Sequence, residues 1–249
     1  MNNAIVIIPT TGAAELEQAV QSVLNQSVPT DVLVVFDGRD RERALALPAD
    51  ERISTIVLPF NTGRSRTANI HVDLPRHWYG ARAQIAAAYV VNNDYAMVLD
   101  QDNWLRPDHV ASCIAKIESC PASPYQFVFA LRNIYRKNGS FACRDDCESL
   151  GNEEGVSGRL IDTSCYFYRT DFLMRTAHLW LWGWGSDRVY LQRVLQAFGG
   201  QIFAGTGRYT VNYRLGGNPG SVREDVFVRG NALMRNRYPS SAVMPWAVE

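Results

Sequence analysis

The chain opens with Ala4-Ile5-Val6-Ile7-Ile8-Pro9-Thr10-Thr11-Gly12, a continuous apolar run that stops at a proline and a turn. A short, uninterrupted apolar run rich in β-branched residues predicts a strand buried on both faces, as in a parallel sheet. From Ala13 the period becomes helical, with an apolar stripe at Leu16, Ala19, Val20, Val23 and Leu24. A second apolar run, 32–36, ends at Asp37-Gly38. The order strand, helix, strand predicts a parallel βαβ unit with a right-handed crossover.

The same alternation continues outward from this unit. Apolar runs predict strands at 53–58 and 95–99, with an alanine-rich helix at 82–91 between them, and Pro107 stands where the first turn of a further helix tolerates it. The later pattern predicts strands at 126–131, 165–168, 201–204 and 210–214, helices at 187–198 and 224–238, and a loop or mobile lid over the polar stretch 137–158. We expect a single α/β domain, with a nucleotide-binding half at 1–104 and an acceptor-binding and catalytic half at 105–249.

Composition excludes some classes of protein. The 249 residues contain 25 basic and 25 acidic side chains, and this zero net charge argues against a nucleic-acid partner. No stretch has the roughly 18 apolar residues that a membrane span needs, so we expect a cytoplasmic chain without a span. Contact with a membrane surface and the oligomeric state stay open. Cys143 and Cys147 raise the alternative of a zinc site, but no histidine lies near them in sequence, which favours reduced structural thiols.

Two carboxylates, Asp100 and Asp102, stand where the fourth predicted strand stops, with Gln101 between them. In open α/β sheets, ligands bind at the carboxyl ends of the strands. Two closely spaced carboxylates at such a place suit a hard cation that also binds substrate phosphates, Mn²⁺ or Mg²⁺. The alternative is a strand-end turn in which an aspartate bonds to the following backbone.

Several segments form an ordered series. They are Ile7-Ile8-Pro9-Thr10, Ser22-Val23-Leu24-Asn25-Gln26-Ser27, Val34-Val35-Phe36-Asp37-Gly38, Asp100-Gln101-Asp102 with Pro107, Ile161-Asp162-Thr163-Ser164, Gly185-Ser186-Asp187-Arg188 and Val211-Asn212-Tyr213-Arg214. In order and spacing, from about residue 4 to residue 215, this series resembles glycosyltransferase family 2. Phe36 and Arg39 depart from the family's Asp-Asp-Gly-Ser, and Ser186 departs from its Glu-Asp pair.

The resemblance implies a GT-A fold with a Rossmann-like, mostly parallel sheet. It also implies a nucleotide-sugar donor, with a UDP-sugar favoured, a glycan or glycolipid acceptor, and inversion at the anomeric carbon. The donor would contact Asp100 and Gln101, the backbone of Pro9-Thr10-Thr11 would lie along the nucleoside, and Asp37 would bond to the base or ribose. Arg82 would face the nucleotide, unless it is a solvated charge on its helix.

Asp187 is the candidate catalytic base. An inverting transfer needs one carboxylate that removes the proton of the acceptor hydroxyl. The alternative is that Asp187 caps the following helix, where a carboxylate favours the positive end of the dipole. Just before it, Trp182, Trp184 and Gly185 are candidates for the acceptor or donor-sugar pocket, because indole faces suit the C–H faces of a sugar. Trp180 belongs to the same run and has core packing as its alternative.

Basic side chains surround the glycine-rich loop 216–220. Arg214, with Arg208 and Arg223 nearby, would offset the charge that develops on a diphosphate leaving group; the alternative is an exposed turn. No histidine follows His178, so water is expected as the third metal ligand. His109 is expected on a helix surface.

Two other functions compete with sugar transfer. A sugar-nucleotidyltransferase also combines an α/β nucleotide half with a metal held by aspartates, but it carries a basic, glycine-rich loop after the first strand. Here that place holds Pro9-Thr10-Thr11-Gly12-Ala13, without lysine or arginine. The second alternative is a non-catalytic sugar- or nucleotide-binding domain on a transferase scaffold. The presence of Asp100, Asp102 and Asp187 counts against it. Which glycan is made, in polysaccharide, lipopolysaccharide or other glycoconjugate synthesis, is open.

Overall fold

The computed structural model describes residues 3–38, 47–62, 80–120, 125–152, 154–181, 185–217 and 221–248. Within these ranges nine strands form one sheet. They are β1 (Ala4–Thr10), β2 (Thr30–Phe36), β3 (Ile53–Val57), β4 (Tyr95–Val98), β5 (Trp104–Leu105), β6 (Phe127–Tyr135), β7 (Phe141–Arg144), β8 (Tyr166–Arg169) and β9 (Phe203–Arg214). The helices of the same ranges are α1 (Leu16–Leu24), α2 (Ala81–Ala88), α3 (His109–Ile117), α4 (Thr170–Thr176), α5 (Ser186–Phe198) and α6 (Glu224–Arg237).

The sheet has a parallel part and a mostly antiparallel part. Its order is β3-β2-β1-β4-β8-β6-β9-β5, with β7 also paired to β6. The first four strands are all parallel, as the buried apolar runs predict, and β1 is buried along its whole length. Beyond β4 the pairs are antiparallel except for β6 with β9. One apolar core runs through both parts of the sheet.

Three sequence-based expectations about elements are wrong. The two predicted strands 201–204 and 210–214 are one strand, β9, because Gly207 adopts a φ of +71° at an irregularity in its pairing with β6 and the chain continues through it. The stretch 137–158 is not a lid: it contains β7, and residues 145–150 are buried. His109 is not on a surface but fully buried at the start of α3, where its Nδ1 lies 2.8 Å from Thr210 Oγ1.

In the described part of the chain, no helix combines the length and the apolar character that a bilayer crossing requires.

Candidate functional site

The carboxyl ends of β1, β2 and β4 meet at one edge of the sheet. The backbone N–H of Asp37, directly after β2, donates to the carbonyl of Thr10 at 2.7 Å, and Leu99 N donates to Ile7 O at 2.9 Å. Parallel pairing in register therefore brings the strand-end residues Thr10, Asp37 and Asp100 to the same edge, as the sequence predicts for a ligand site.

Asp37 is buried and holds the loop that follows β3. Its Oδ1 accepts hydrogen bonds from Thr62 N at 2.6 Å and from Thr62 Oγ1 at 2.8 Å. Its carbonyl accepts a third bond from Asn61 Nδ2 at 2.9 Å. The carboxylate is thus fixed at the mouth of the sheet by its own neighbours. Its expected bond to the base or ribose stays a prediction.

Gln101 binds the loop between β1 and α1. Its side-chain oxygen accepts hydrogen bonds from Thr10 Oγ1 at 2.6 Å, Thr11 N at 3.1 Å and Ala13 N at 3.3 Å. These bonds join the Asp-x-Asp turn to the turn after the first strand, the two segments expected to contact the donor. The side-chain oxygen of Gln101 is therefore engaged within the protein and orients the loop.

Ser164 is a positioning residue that the sequence patterns did not single out by itself. Its hydroxyl accepts from Asp100 N at 3.1 Å and from Asn103 Nδ2 at 3.0 Å, and it donates to Asp100 Oδ2 at 3.3 Å. Asp162 Oδ1 accepts from Ser164 N at 3.0 Å. The turn at Asp100 is therefore fixed by a buried hydroxyl on the segment that precedes β8, 64 positions later in the chain.

Arg214 and a glycine lie directly against the turn at Asp102. Arg214 Nε donates to the carbonyl of Asp102 at 3.2 Å, and its guanidinium lies 5.0 Å from the centre of the Trp104 ring. Gly217 packs so closely that a Cβ there would stand 1.6 Å from Asp102 Oδ2. A side chain at position 217 is therefore incompatible with this arrangement, and the glycine-rich loop begins on top of the candidate metal ligand.

Asp187 lies in the first turn of α5. Gly185, with a φ of +75°, occupies the N-cap position, so Asp187 is not the capping residue. Its Oδ1 accepts the backbone N–H of Arg188 at 2.8 Å. Burial raises the pKa of Asp187 to about 6, and the charge of Asp162 adds to the effect. A carboxyl with this pKa is poised to take a proton near neutral pH.

Asp100, Asp102 and Asp187, here called the edge acids, all have raised pKa values and form no ion pair within the described residues. Burial raises the pKa of Asp100 well above its usual range, and Asp162, Asp102 and Asp187 all raise it further. Burial also raises the pKa of Asp102 to about 6. Oxygen donors short of positive charge suit a hard divalent cation such as Mn²⁺ or Mg²⁺. Across the ranges that the structure describes, no third acidic, cysteine or histidine side chain completes a metal-binding group, so Asp100 and Asp102 would share the ion with water or substrate oxygens.

A second acidic group lies next to the edge acids and has its own cation. Arg132 on β6 is 2% exposed and forms ion pairs with Asp145 at 2.9 Å, Glu148 at 2.8 Å and Asp162 at 2.7 Å. Its guanidinium also lies 4.6 Å from the centre of the Tyr213 ring. These four charged residues are called the Arg132 cluster. They explain why 145–150 is buried, since its carboxylates are paired inside the protein.

The remaining sequence-predicted residues are distributed around this edge or lie outside the described ranges. Arg82 is exposed in the first turn of α2, next to Gly80, where an added Cβ would stand 3.1 Å from Pro9 Cβ. Trp182 and Trp184 lie outside the described residues. Trp180 is buried and stacks on Tyr190 with a ring-centre distance of 4.1 Å, so it belongs to the core.

Comparison with known proteins identifies the family of the chain. The family model described as glycosyl transferase family 2 matches residues 5–141, more than half of the chain. The chain therefore belongs to glycosyltransferase family 2. Comparison with curated proteins gives no match.

Solved structures of S. aureus TarS have a similar fold. The structure of TarS 1-349 matches with a TM-score of 0.58 at 13% identity, over 86% of this chain and 60% of that chain. Its complex with UDP-GlcNAc matches with a TM-score of 0.59 at 11% identity, over 97% of this chain and 68% of that one. The chain thus spans about 60% of the first TarS structure. At these identities the likeness shows the fold, and the expected GT-A fold is confirmed.

Proposed function

We propose that the chain transfers a sugar from a nucleotide diphosphate donor, a UDP-sugar, to an acceptor hydroxyl with inversion at the anomeric carbon. The observation that carries the proposal is that Asp100 and Asp102 at the carboxyl edge of the parallel strands, and Asp187 whose charge acts on Asp100, form no ion pair within the described residues. Family membership favours sugar transfer over nucleotidyl transfer. The complexes of TarS with UDP and with UDP-GlcNAc support a uridine donor.

The donor would lie along the edge formed by β1, β2 and β4. The half of the chain at 1–104 would hold the nucleotide, with Pro9, Thr10, Thr11 and Asp37 along the nucleoside. The half at 105–249 would hold a glycan or glycolipid acceptor. Gln101 keeps the first loop in place through its three hydrogen bonds.

Asp100 and Asp102 would hold Mn²⁺ or Mg²⁺ together with the donor diphosphate. When bound, the cation would offset negative charge on the diphosphate as it leaves. Arg214, fixed against Asp102 by its bond to the backbone carbonyl, would add a protein cation at the same place. Ser164 orients Asp100 and thereby limits the positions that its carboxylate adopts.

Asp187 would act as the base. The acceptor oxygen forms a bond to the anomeric carbon while the bond from that carbon to the diphosphate oxygen breaks. The nucleoside diphosphate leaves, and the hydroxyl proton passes to Asp187. A pKa of about 6 leaves this carboxyl ionised at neutral pH and still basic enough to accept the proton.

The experiment compares Asp187→Asn with wild type and with Asp171→Asn, using a panel of nucleotide sugars with Mn²⁺. Asp171 is the matched control, since it is an exposed acid in the first turn of α4. We expect Asp187→Asn to reduce transfer by about 10²–10⁴-fold, the usual worth of a general base, and to retain donor affinity.

Product analysis by NMR decides the stereochemistry in the same assay. The proposal predicts an inverted anomeric centre. A retained configuration, or full activity of Asp187→Asn, contradicts the assigned role of Asp187. Donor binding without transfer or hydrolysis for any donor and acceptor tried would instead favour a non-catalytic binding domain.

A further inference from the structure

A second cleft lies outside the candidate active site. It is formed by β7, the C-terminal part of α6 and the segment 239–248, and its volume is about 930 Å³. We call it the C-terminal cleft and define it by Phe141, Arg144, Tyr209, Arg235, Val243 and Val248. Sites for small molecules in proteins typically have volumes of about 300–1,000 Å³. Tyr209 and Arg214 are both on β9, so roughly 17 Å of strand separates this cleft from the turn at Asp102.

The outer wall of the cleft is fixed by close backbone contact. Val248 N donates to the carbonyl of Gly207 at 2.7 Å. Gly207 has a φ of +71°, and a Cβ there would stand 2.5 Å from Val248 Cγ2. The ring of Trp246 meets that of Tyr238 edge to face, with centres 5.6 Å apart. The terminal segment therefore lies at a defined distance from β9 and leaves the space open beside it.

The acidic and amide groups of the cleft are already engaged. The hydroxyl of Tyr209 donates to Asp146 Oδ1. Asn231 Oδ1 accepts from Asp146 N at 3.0 Å, and Asn231 Nδ2 donates to the carbonyl of Arg144 at 2.7 Å. Asp146, 7% exposed, is the one acid among the described lining residues, and it forms no ion pair with either arginine of the cleft in the described part of the chain.

The guanidiniums of Arg144 and Arg235 lack an acidic partner within the described part of the chain. Arg144 is exposed, and its guanidinium lies 4.7 Å from the centre of the Tyr209 ring; Arg235 is exposed on α6. Other arginines of α6 are engaged, since Arg229 pairs with Asp225 at 2.9 Å and Arg237 donates to the carbonyl of Glu154 at 2.8 Å. Within the described residues, the cleft thus has two exposed guanidiniums that form no ion pair.

Exposed apolar side chains line the same cleft. Phe141 is 51% exposed, Val243 38% and Val248 59%. Ala242, Met244 and Ala247 continue this apolar lining. Apolar surface beside unpaired guanidiniums is complementary to a molecule that has an apolar chain and an anionic end.

We propose that the C-terminal cleft binds a single anionic amphiphile, with a phosphate headgroup between Arg144 and Arg235 and its alkyl chain along Phe141 and the 239–248 segment. The inference is independent of sugar transfer. Its test therefore needs no enzymatic activity.

The test is calorimetric titration with decyl phosphate below its micelle concentration. We expect saturable binding of one molecule per chain, and much weaker binding of inorganic phosphate and of uncharged decyl maltoside. The double variant Arg144→Gln/Arg235→Gln should weaken decyl phosphate binding by at least about tenfold, since a hydrogen bond to a charged group contributes roughly 1.5–3 kcal/mol. Arg229→Gln is the matched control on the same helix and should bind like wild type.

A second variant, Ala242→Trp, tests the apolar part by filling the cleft and should also weaken binding. All four substituted positions are exposed, so unchanged melting temperatures should confirm that the variants fold. No binding of decyl phosphate, equal binding by the double variant, or equal binding of decyl maltoside would overturn the proposal. Binding to phosphatidylglycerol vesicles without binding of monomeric decyl phosphate would also overturn it, because the surface would then face a membrane.

Discussion

The Arg132 cluster and the edge acids are two neighbouring groups of carboxylates with opposite charge balance, the first buried and the second partly buried. In the first, Asp145, Glu148 and Asp162 surround the guanidinium of Arg132 at distances of 2.7–2.9 Å. In the second, Asp100 and Asp187 have raised pKa values and no ion pair within the described residues.

This difference separates a structural role from a functional one. A buried charge is tolerated when it is paired and hydrogen-bonded, and it is costly otherwise. The Arg132 cluster satisfies its carboxylates within the fold and so holds β6 to the 145–150 segment. The edge acids have no ion-pair partner at the edge where the proposed donor would bind, and groups with perturbed pKa values of this kind are typical of functional sites.

The largest expected effect comes from breaking the Arg132 cluster. Arg132→Met leaves three buried carboxylates without their cation, and removing one partner of a buried ion pair costs about 3–5 kcal/mol of unfolding free energy. Urea denaturation measures the loss. The control is Arg136→Gln, an exposed arginine that pairs with Glu224, for which a change below about 1 kcal/mol is expected. If both variants lost the same amount, the cluster would have no special structural role.

A smaller effect is expected on nucleotide binding from Asp37→Ala. Leaving a hydrogen-bonding group without its partner costs about 1–3 kcal/mol, so calorimetry should show UDP affinity reduced by that amount. Asp31→Ala, at the opposite end of β2, is the control.

Thr62→Val separates two possible roles of Asp37, binding the nucleotide and orienting the loop after β3. It removes the hydroxyl from which Asp37 Oδ1 accepts a hydrogen bond. If Thr62→Val weakens UDP binding as much as Asp37→Ala, then Asp37 only orients the loop. Unchanged binding by Asp37→Ala would mean that Asp37 has another role or that the nucleotide is not a uridine one.

The pH dependence of stability tests whether the pKa of Asp187 is raised in the folded protein. The folded-state pKa of Asp187, about 6, lies above its ordinary value of 3.8. The contribution of Asp187 to stability is therefore present below pH 3.8 and is lost as the pH rises through about 6. Asp187→Asn should gain unfolding free energy relative to wild type between pH 4 and pH 7, measured by denaturation at both ends. Asp171→Asn should show no such trend; a gain for Asp187→Asn that did not vary with pH would contradict the raised pKa.

The sequence predicted the parallel strands and the strand-end positions of Asp37 and Asp100 well, for a physical reason. Strands buried on both faces are continuous apolar runs, and their ends are marked by the first polar residues, so Asp37 and Asp100 can be placed without coordinates. The family model then confirmed the class of protein that the ordered motifs resemble.

The Arg132 cluster could not be predicted in the same way. Asp145 and Glu148 are charged, and a stretch rich in charged residues is normally predicted to be exposed to solvent. Their burial depends on Arg132, a partner at least 13 positions away, and on its pairing with Asp162, 30 positions away. The prediction that His109 lies on a helix surface was wrong for the same reason, since its hydrogen-bond partner Thr210 is 101 positions away. Long-range pairing of polar groups leaves no periodic signal in the sequence.

The most direct test of the central claim is a thermal-shift comparison of wild type and Asp102→Asn, each with and without Mn²⁺ and UDP. If Asp102 is a carboxylate without an ion-pair partner that binds a cation, replacing it removes an uncompensated charge. The ligand-free variant should therefore melt at or above the wild-type temperature. Wild type alone should gain stability with Mn²⁺ and UDP, through binding by mass action. A ligand-free variant that melts well below wild type, together with no response of wild type to Mn²⁺ and UDP, would contradict the account.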